Sequence, residues 1–393
     1  MIATNSDAKL AAELLRKELI PELVHASGPC ITLLLPPYRP GEAGEPRAAF
    51  LKTQLQEAAK KLAARKIADP LIDALLEPLR HLSREEESLA GSCLPRVIFR
   101  SRTVFRQFDL PVPPMPATAC TVGDCFWIRP ILASLALPAS IYVLEVTKKT
   151  AQLLACGVAG FARVELPKGT PRTLDEALGF KAPDHDLINR SAAGPSNGAM
   201  QGVQFGTGSG RETQYAHLHD YYRAIDRGVS ELLRSNNAPL ILAGVGEDVA
   251  IYRAISTYSN LLDRGIHGSL SAAMPQAQIS RHAHDVALFD FQHRAALNMA
   301  VLKERLSPAL FSTDLEIILR AAAEGRVSDL CMDENGQRMG TFEGKVFGGR
   351  ANWRQEDLLN VAAVETLLRS GAVHSLPSHW MAEGAVAAAA FRF

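Results

Sequence analysis

The chain has 393 residues, 47% apolar and 21% charged, with 42 basic and 42 acidic side chains. That length exceeds what one hydrophobic core usually serves, so two or three domains of an ordinary globular protein are expected. Zero net charge argues against a surface coated in basic charge for duplex DNA, and no apolar run approaches the roughly 20 residues that span a bilayer.

In chain order, Asp7 to Ile20 reads as an amphipathic helix stopped near Pro21, with no signal-peptide pattern before it. "PCITLLLPP" has the length and closing prolines of a buried strand. After "YRPGEAGEPR" a helix is expected, because Leu51, Leu55, Ala58 and Leu62 repeat at helical spacing and form one apolar stripe. Its other faces carry Arg47, Lys52, Lys60, Lys61, Arg65 and Lys66 against only Glu45 and Glu57, which makes the segment locally basic. A helix over Asp69 to Leu82 follows. "RVIFRSRTVFRQFDLP" and "CTVGDCFWIRP" then read as strands, with "PVPPMP" as a rigid connector.

"SIYVLEVTKKTAQLLACG" gives two strands about a Lys148-Lys149 turn, and "GFARVELP" gives a third. A glycine-rich loop over residues 194–210 leads into a helix from Glu212 to Arg234. Its stripe is Tyr215, Leu218, Tyr222, Ile225, Val229 and Leu232. "APLILAGV" followed by "GEDVAIYRAIS" is a strand turning into a helix, the mark of an α/β layer with a partly parallel sheet. Gln276 to Arg305 is helical. The last segment reads as a helix ended by Gly325, a strand "VSDLCMD", a glycine-rich hairpin or loop, a helix stopped at Gly371, and the strands "AVHSLP" and "AVAAAAFRF". The fold class is therefore mixed α/β in three domains, with boundaries at 1–135, 136–275 and 276–393.

No motif among these residues defines a cofactor or metal site. "GTGSGR" lacks both the strand before it and the lysine after it that phosphate loops need. The first amides of the following helix, at Arg211 to Thr213, would still favour an anion. His217 and His219 are two apart and point away from each other on a helix, so they cannot share a metal. The six cysteines at 30, 93, 120, 125, 156 and 331 form no CxxC pair and fit buried, reduced thiols of a cytoplasmic protein.

The order of segments resembles the archaeal and eukaryotic class-1 peptide-chain release factor superfamily. "CITLLLPPYRPG…EPRAAFLKTQLQEAAKKL" is similar to its first domain. "SIYVLEVTKKTAQLLACG" through "APLILAGVGEDVAIYRAIS" is similar to the central domain of its bacterial branch, and "LEIILRAAAEGRVSDLCM…AVAAAAFRF" to its third domain. The resemblance implies an RNase H-like central domain and a C-terminal α/β/α domain related to ribosomal kink-turn-binding proteins. It also implies the ribosome and tRNA as partners, with neither membrane nor DNA.

In classical members a Gly-Gly-Gln loop promotes hydrolysis of the peptidyl-tRNA ester. Here Gly-Gly-Gln and the codon-reading Asn-Ile-Lys-Ser are both absent, and loop 194–210 occupies the corresponding place. If the chain is an ester hydrolase, Gln204 would place water, with Gln201 second, and amides near Gly202 and Gly206 would steady the oxyanion. Arg190 and Arg211 would bind phosphates, and Arg47, Lys52, Lys60 and Lys61 would give a second RNA-facing contact. The alternatives are a non-catalytic RNA- or protein-binding module without the hydrolytic tip, and a nucleotide- or metabolite-binding enzyme.

Overall fold

The computed structural model describes residues 19–26, 28–37, 47–85, 94–112, 119–138, 140–158, 160–179, 207–268, 270, 276–343, 352–382 and 384–393. Helical residues 19–25 run through Pro21 instead of stopping there. Leu19, Leu23 and Val24 are buried, and the His25 imidazole donates to the Pro21 carbonyl at 2.7 Å. That burial offsets the N–H that proline lacks.

The strand β1 (Cys30–Leu35) is buried at every position because both of its faces are covered. Ile31, Leu33 and Leu35 meet α1 (Arg47–Ala64) and α2 (Asp69–Glu85), where Leu51, Leu55, Ala58 and Leu62 form the expected stripe. The next stretch is a hairpin, β2 (Arg96–Arg100) and β3 (Phe105–Asp109). The Ser101 hydroxyl accepts the amides of Thr103 at 3.3 Å and Val104 at 3.0 Å and so folds the chain back. With β4 (Ala119–Gly123) the sheet runs β3-β2-β1-β4, all antiparallel.

Beyond β4 the expected strand tail "FWIRP" leads instead into a helix, α3 (Arg129–Ala136). Proline suits its first turn. Its leading amides, Ile128 at 2.9 Å and Arg129 at 3.3 Å, donate to Oδ1 of the far-off Asn360. A cap supplied from the other end of the chain leaves no local sign of a helix start.

In the central segment β5 (Ile141–Val146) and β6 (Ala151–Gly157) pair antiparallel about a turn that Thr147 holds through its hydroxyl. β7 (Gly160–Val164), α4 (Leu174–Gly179), α5 (Thr207–Leu233), β8 (Leu240–Gly244), α6 (Gly246–Ile255) and β9 (Ile266–His267) follow. The sheet order is β7-β6-β5-β8-β9, with β8 parallel to both β5 and β9. An antiparallel pair beside a parallel flank, filled in this order, is the RNase H-like arrangement.

Helix α5 begins at Thr207, not Glu212, so the last four residues of the expected loop are helical. Glycine costs about 1 kcal/mol in a helix interior, but Gly208 and Gly210 stand in the first turn, where four amides lack intrahelical partners in any case. The buried face is Leu218, Tyr221, Tyr222, Ile225, Val229 and Leu233. Tyr215, expected in that stripe, is 49% exposed.

The C-terminal segment holds α7 (Gln276–Arg305), β10 (Phe311–Ser312), α8 (Leu315–Ala323), β11 (Val327–Asp333), β12 (Met339–Glu343), β13 (Asn352–Asp357), α9 (Leu358–Leu368), β14 (Ala372–Leu376) and β15 (Ala387–Phe391). Asp314 caps α8 by accepting from Glu316 and Ile317, and Gly325, at φ +76°, ends it as expected. The sheet order is β10-β15-β11-β14, with β11 and β14 parallel, and β12 and β13 form a separate hairpin. α8 and α9 bury one face and α7 the other, an α/β/α layering.

The chain forms two compact units. One comprises residues 1–140, 157–160 and 276–393, and the other 141–156 and 161–275. Within the first unit the N- and C-terminal segments share one core. Arg129 forms a buried ion pair with Asp357 at 2.6 Å, and Arg65 reaches Glu356 at 2.8 Å.

Candidate nucleic-acid interface

Of the residues expected to act, Gln201, Gly202, Gln204, Gly206 and Arg190 lie outside the described residues. Arg47 and Arg211 stand on α1 and α5, and only their backbones are described. Arg211 lies one turn inside its helix, beyond the four unpaired amides. The helix start expected at Arg211 to Thr213 is therefore corrected to Thr207.

Lys52, Lys60 and Lys61 are exposed on α1. At about 100° per residue, Lys60 points away from the buried stripe, and Lys52 and Lys61 flank it on opposite sides. They are spread over the helix surface and do not form one cluster. The Lys61 ammonium pairs with Glu57 at 2.6 Å and donates to the Cys120 carbonyl at 2.6 Å, so it ties α1 to β4. Burial pushes the Cys120 thiol up to about 12, as for an inert buried cysteine. The five described cysteines are all buried.

The second unit contains a groove of about 680 Å³ lined by residues of α5 and of the segments on either side of it. Its floor is the polar face of α5, where His217, Asp220, Arg223 and Arg227 recur at helical spacing. One wall is the chain from Gly169 to Pro171. It is held against α5 by the Tyr221 hydroxyl, which donates to the Arg172 carbonyl at 3.0 Å, and by Gly228, whose missing side chain leaves room for Thr170.

The other wall is the end of α6 with Thr257. The buried Asp226 carboxylate fixes it by accepting from Tyr252 at 3.2 Å, Ser256 at 2.6 Å, and the Thr257 amide and hydroxyl at 2.9 and 2.8 Å. Burial, first, and the neighbouring Asp226 drive the Tyr252 phenol far above its ordinary range. Asp226 is thus structural, and Tyr252 stays neutral. Above the strand ends, Glu247 accepts from Tyr215 at 3.0 Å and from Lys148 at 2.8 Å. The Lys148 bond, then the Tyr215 bond, holds its carboxyl below the usual range.

Sequence reasoning missed this groove. The available signal was the polar repeat His217, Asp220, Arg223, Arg227 on the side away from the apolar stripe; what it faces depends on distant segments. Among the described residues no group of His, Cys, Asp and Glu could hold a metal ion, and no helix is long and apolar enough to cross a membrane.

Residues 141–326 match the model of bacterial archaeo-eukaryotic release factor family 3. Over that stretch the chain is similar to this family. The matched residues include the whole five-stranded sheet, α5 and the groove. No curated protein matches the chain.

Among solved structures it is similar to an archaeal translation termination factor, at 14% identity over 97% of this chain and 98% of that one, with a TM-score of 0.25. It is also similar to a chain in a model of ribosome-bound archaeal Pelota and ABCE1, at 12% identity over 96% and 94%, TM-score 0.35. A third is Archaeoglobus fulgidus Pelota, at 12% identity over 77% and 80%, TM-score 0.31. The likeness to release factors rests on the family match, and the fold on the strand order.

Proposed function

We propose that the protein is a cytoplasmic, ribosome-associated translation or rescue factor, organised in three parts, whose central part reaches tRNA or ribosomal RNA. The match of residues 141–326 to the release-factor family carries this reading. The long helix α5, which follows the glycine-rich segment in the chain, and the RNase H-like sheet order support it. In this account Arg190 and Arg211 bind phosphates near the tip, and Lys52 and Lys60 on α1 give a second RNA-facing contact.

If the tip hydrolyses a peptidyl-tRNA ester, Gln204 places the water, Gln201 stands second, and the amides near Gly202 and Gly206 hold the developing oxyanion. Release of a labelled peptide from tRNA on purified ribosomes tests this step: Gln204→Ala abolishes release, and unchanged release removes the assignment.

A second reading is favoured by the absence of Gly-Gly-Gln from the chain. In it the protein binds RNA or a protein partner on the ribosome without hydrolysis. Salt-sensitive co-sedimentation with ribosomes and no peptide release from the unaltered protein selects it.

A further inference from the structure

We propose that the groove on α5 binds RNA, seating a phosphodiester-linked nucleotide with its phosphate on Arg223 and Arg227. The inference rests on the translational reading above and adds to it a contact surface on the stem itself.

The groove is a built feature. Two independent sets of bonds fix its walls, Tyr221 with the Gly228 notch on one side and the fourfold use of Asp226 on the other. Its volume of about 680 Å³ suits a nucleotide-sized group.

Its cations are exposed. Arg227 makes no ion pair among the described residues, and the only ion pair recorded for Arg223 there is with Asp220, at 3.7 Å. One helical turn apart, the two guanidiniums project over the same cleft and present planar donor forks of the kind that grip phosphate oxygens. Asp220 is the opposing charge at the rim. Asp226, at the floor, already accepts four hydrogen bonds, so its oxygens are committed to the protein.

Thr257 supplies the preference for RNA. Its hydroxyl hydrogen is committed to Asp226, so its oxygen can offer only lone pairs to the groove it lines. An oriented acceptor there favours a ligand that brings a donor, as the ribose 2′-hydroxyl does and deoxyribose does not. His217, at the same face, gives a flat ring on which a base can stack.

The test is fluorescence anisotropy of the full chain with a labelled single-stranded RNA of about 12 nucleotides and with DNA of the same sequence. The unaltered protein binds the RNA more tightly than the DNA. Arg223→Ala with Arg227→Ala weakens RNA binding by about tenfold or more and flattens its salt dependence, since two phosphate contacts are lost. Both arginines are exposed, so the variant folds, as its denaturation midpoint will show. Thr257→Val narrows the gap between RNA and DNA.

Unchanged RNA affinity in the double arginine variant overturns the proposal. So does competition by adenosine monophosphate or inorganic phosphate at concentrations matching the RNA, which would make this a free-nucleotide or phosphate site. Ribosome co-sedimentation separates the two levels. If it persists while the groove variants bind RNA normally, the groove assignment alone falls. If the unaltered protein ignores ribosomes, the translational reading falls, and the RNA titration still judges the groove.

Discussion

Gly228 and Thr170 touch so closely that a Cβ on Gly228 would lie 2.2 Å from Thr170 Oγ1 and within 3.1 Å of two more of its side-chain atoms. Rotating the hydroxyl cannot clear that overlap. In an open helix Gly→Ala gains about 1 kcal/mol, whereas overpacking costs about 1–3 kcal/mol. Gly228→Ala is therefore expected to lower stability and displace the groove wall. Gly246→Ala is the control, because nothing lies within 4 Å of its added Cβ. Chemical denaturation of both variants decides the sign; a stabilised Gly228→Ala would contradict the packing described.

Asp226 joins the stem to the turn after α6 through four donors. Asp226→Ala leaves those donors without their acceptor, and buried donors stranded in this way cost about 1–3 kcal/mol each before relaxation. A loss of several kcal/mol is expected, and a smaller one for Asp226→Asn, which keeps the shape and one acceptor oxygen. Equal midpoints for all three proteins would show that the carboxylate does not hold the turn.

The buried pair Arg129–Asp357 joins segments 228 residues apart. Arg129 also donates to the Asp333 carbonyl at 2.7 Å, and Asp357 accepts the Leu359 amide at the start of α9. Removing one partner leaves the other charged and dry, at about 3–5 kcal/mol. Arg129→Met is expected to lower the denaturation midpoint by that amount, and a change below about 1 kcal/mol would contradict it.

Burial lowers the titration of His284 and His374 from the ordinary 6.5. A group whose folded value is depressed adds stability above its unfolded value and loses it as pH falls through the folded one. The protein is therefore expected to lose stability below about pH 6.5 through these two groups. Glu334 and Glu356 act oppositely: burial raises both above 4.5, so they favour folding in acid, and that contribution is lost as pH rises. His284→Leu should flatten the fall in midpoint between about pH 7 and pH 5.5. An unaltered slope would show that His284 is not responsible.

What was legible in the sequence is what repeats locally. The stripe Leu51, Leu55, Ala58 and Leu62, the stop at Gly325 and the run "LILAG" each declare their element by spacing or composition. What was hidden depends on distant partners. Asn360 caps α3 from across the core, and burial carries the first helix through Pro21. Asp226 is one acidic residue among several on α5 until the fold brings Ser256 and Thr257 to it. The groove arginines look like an ordinary solvated face until the Gly169–Pro171 segment is set beside them.

The central claim is that this chain works on ribosomal RNA or tRNA, and sedimentation of the full chain through a sucrose cushion with purified ribosomes tests it most directly. The account predicts a protein that pellets with ribosomes at about 50 mM salt, largely leaves them by about 200 mM as counterion release requires, and pellets less when Lys52 and Lys60 are replaced by alanine. A protein that stays in the supernatant at both salt concentrations would contradict it.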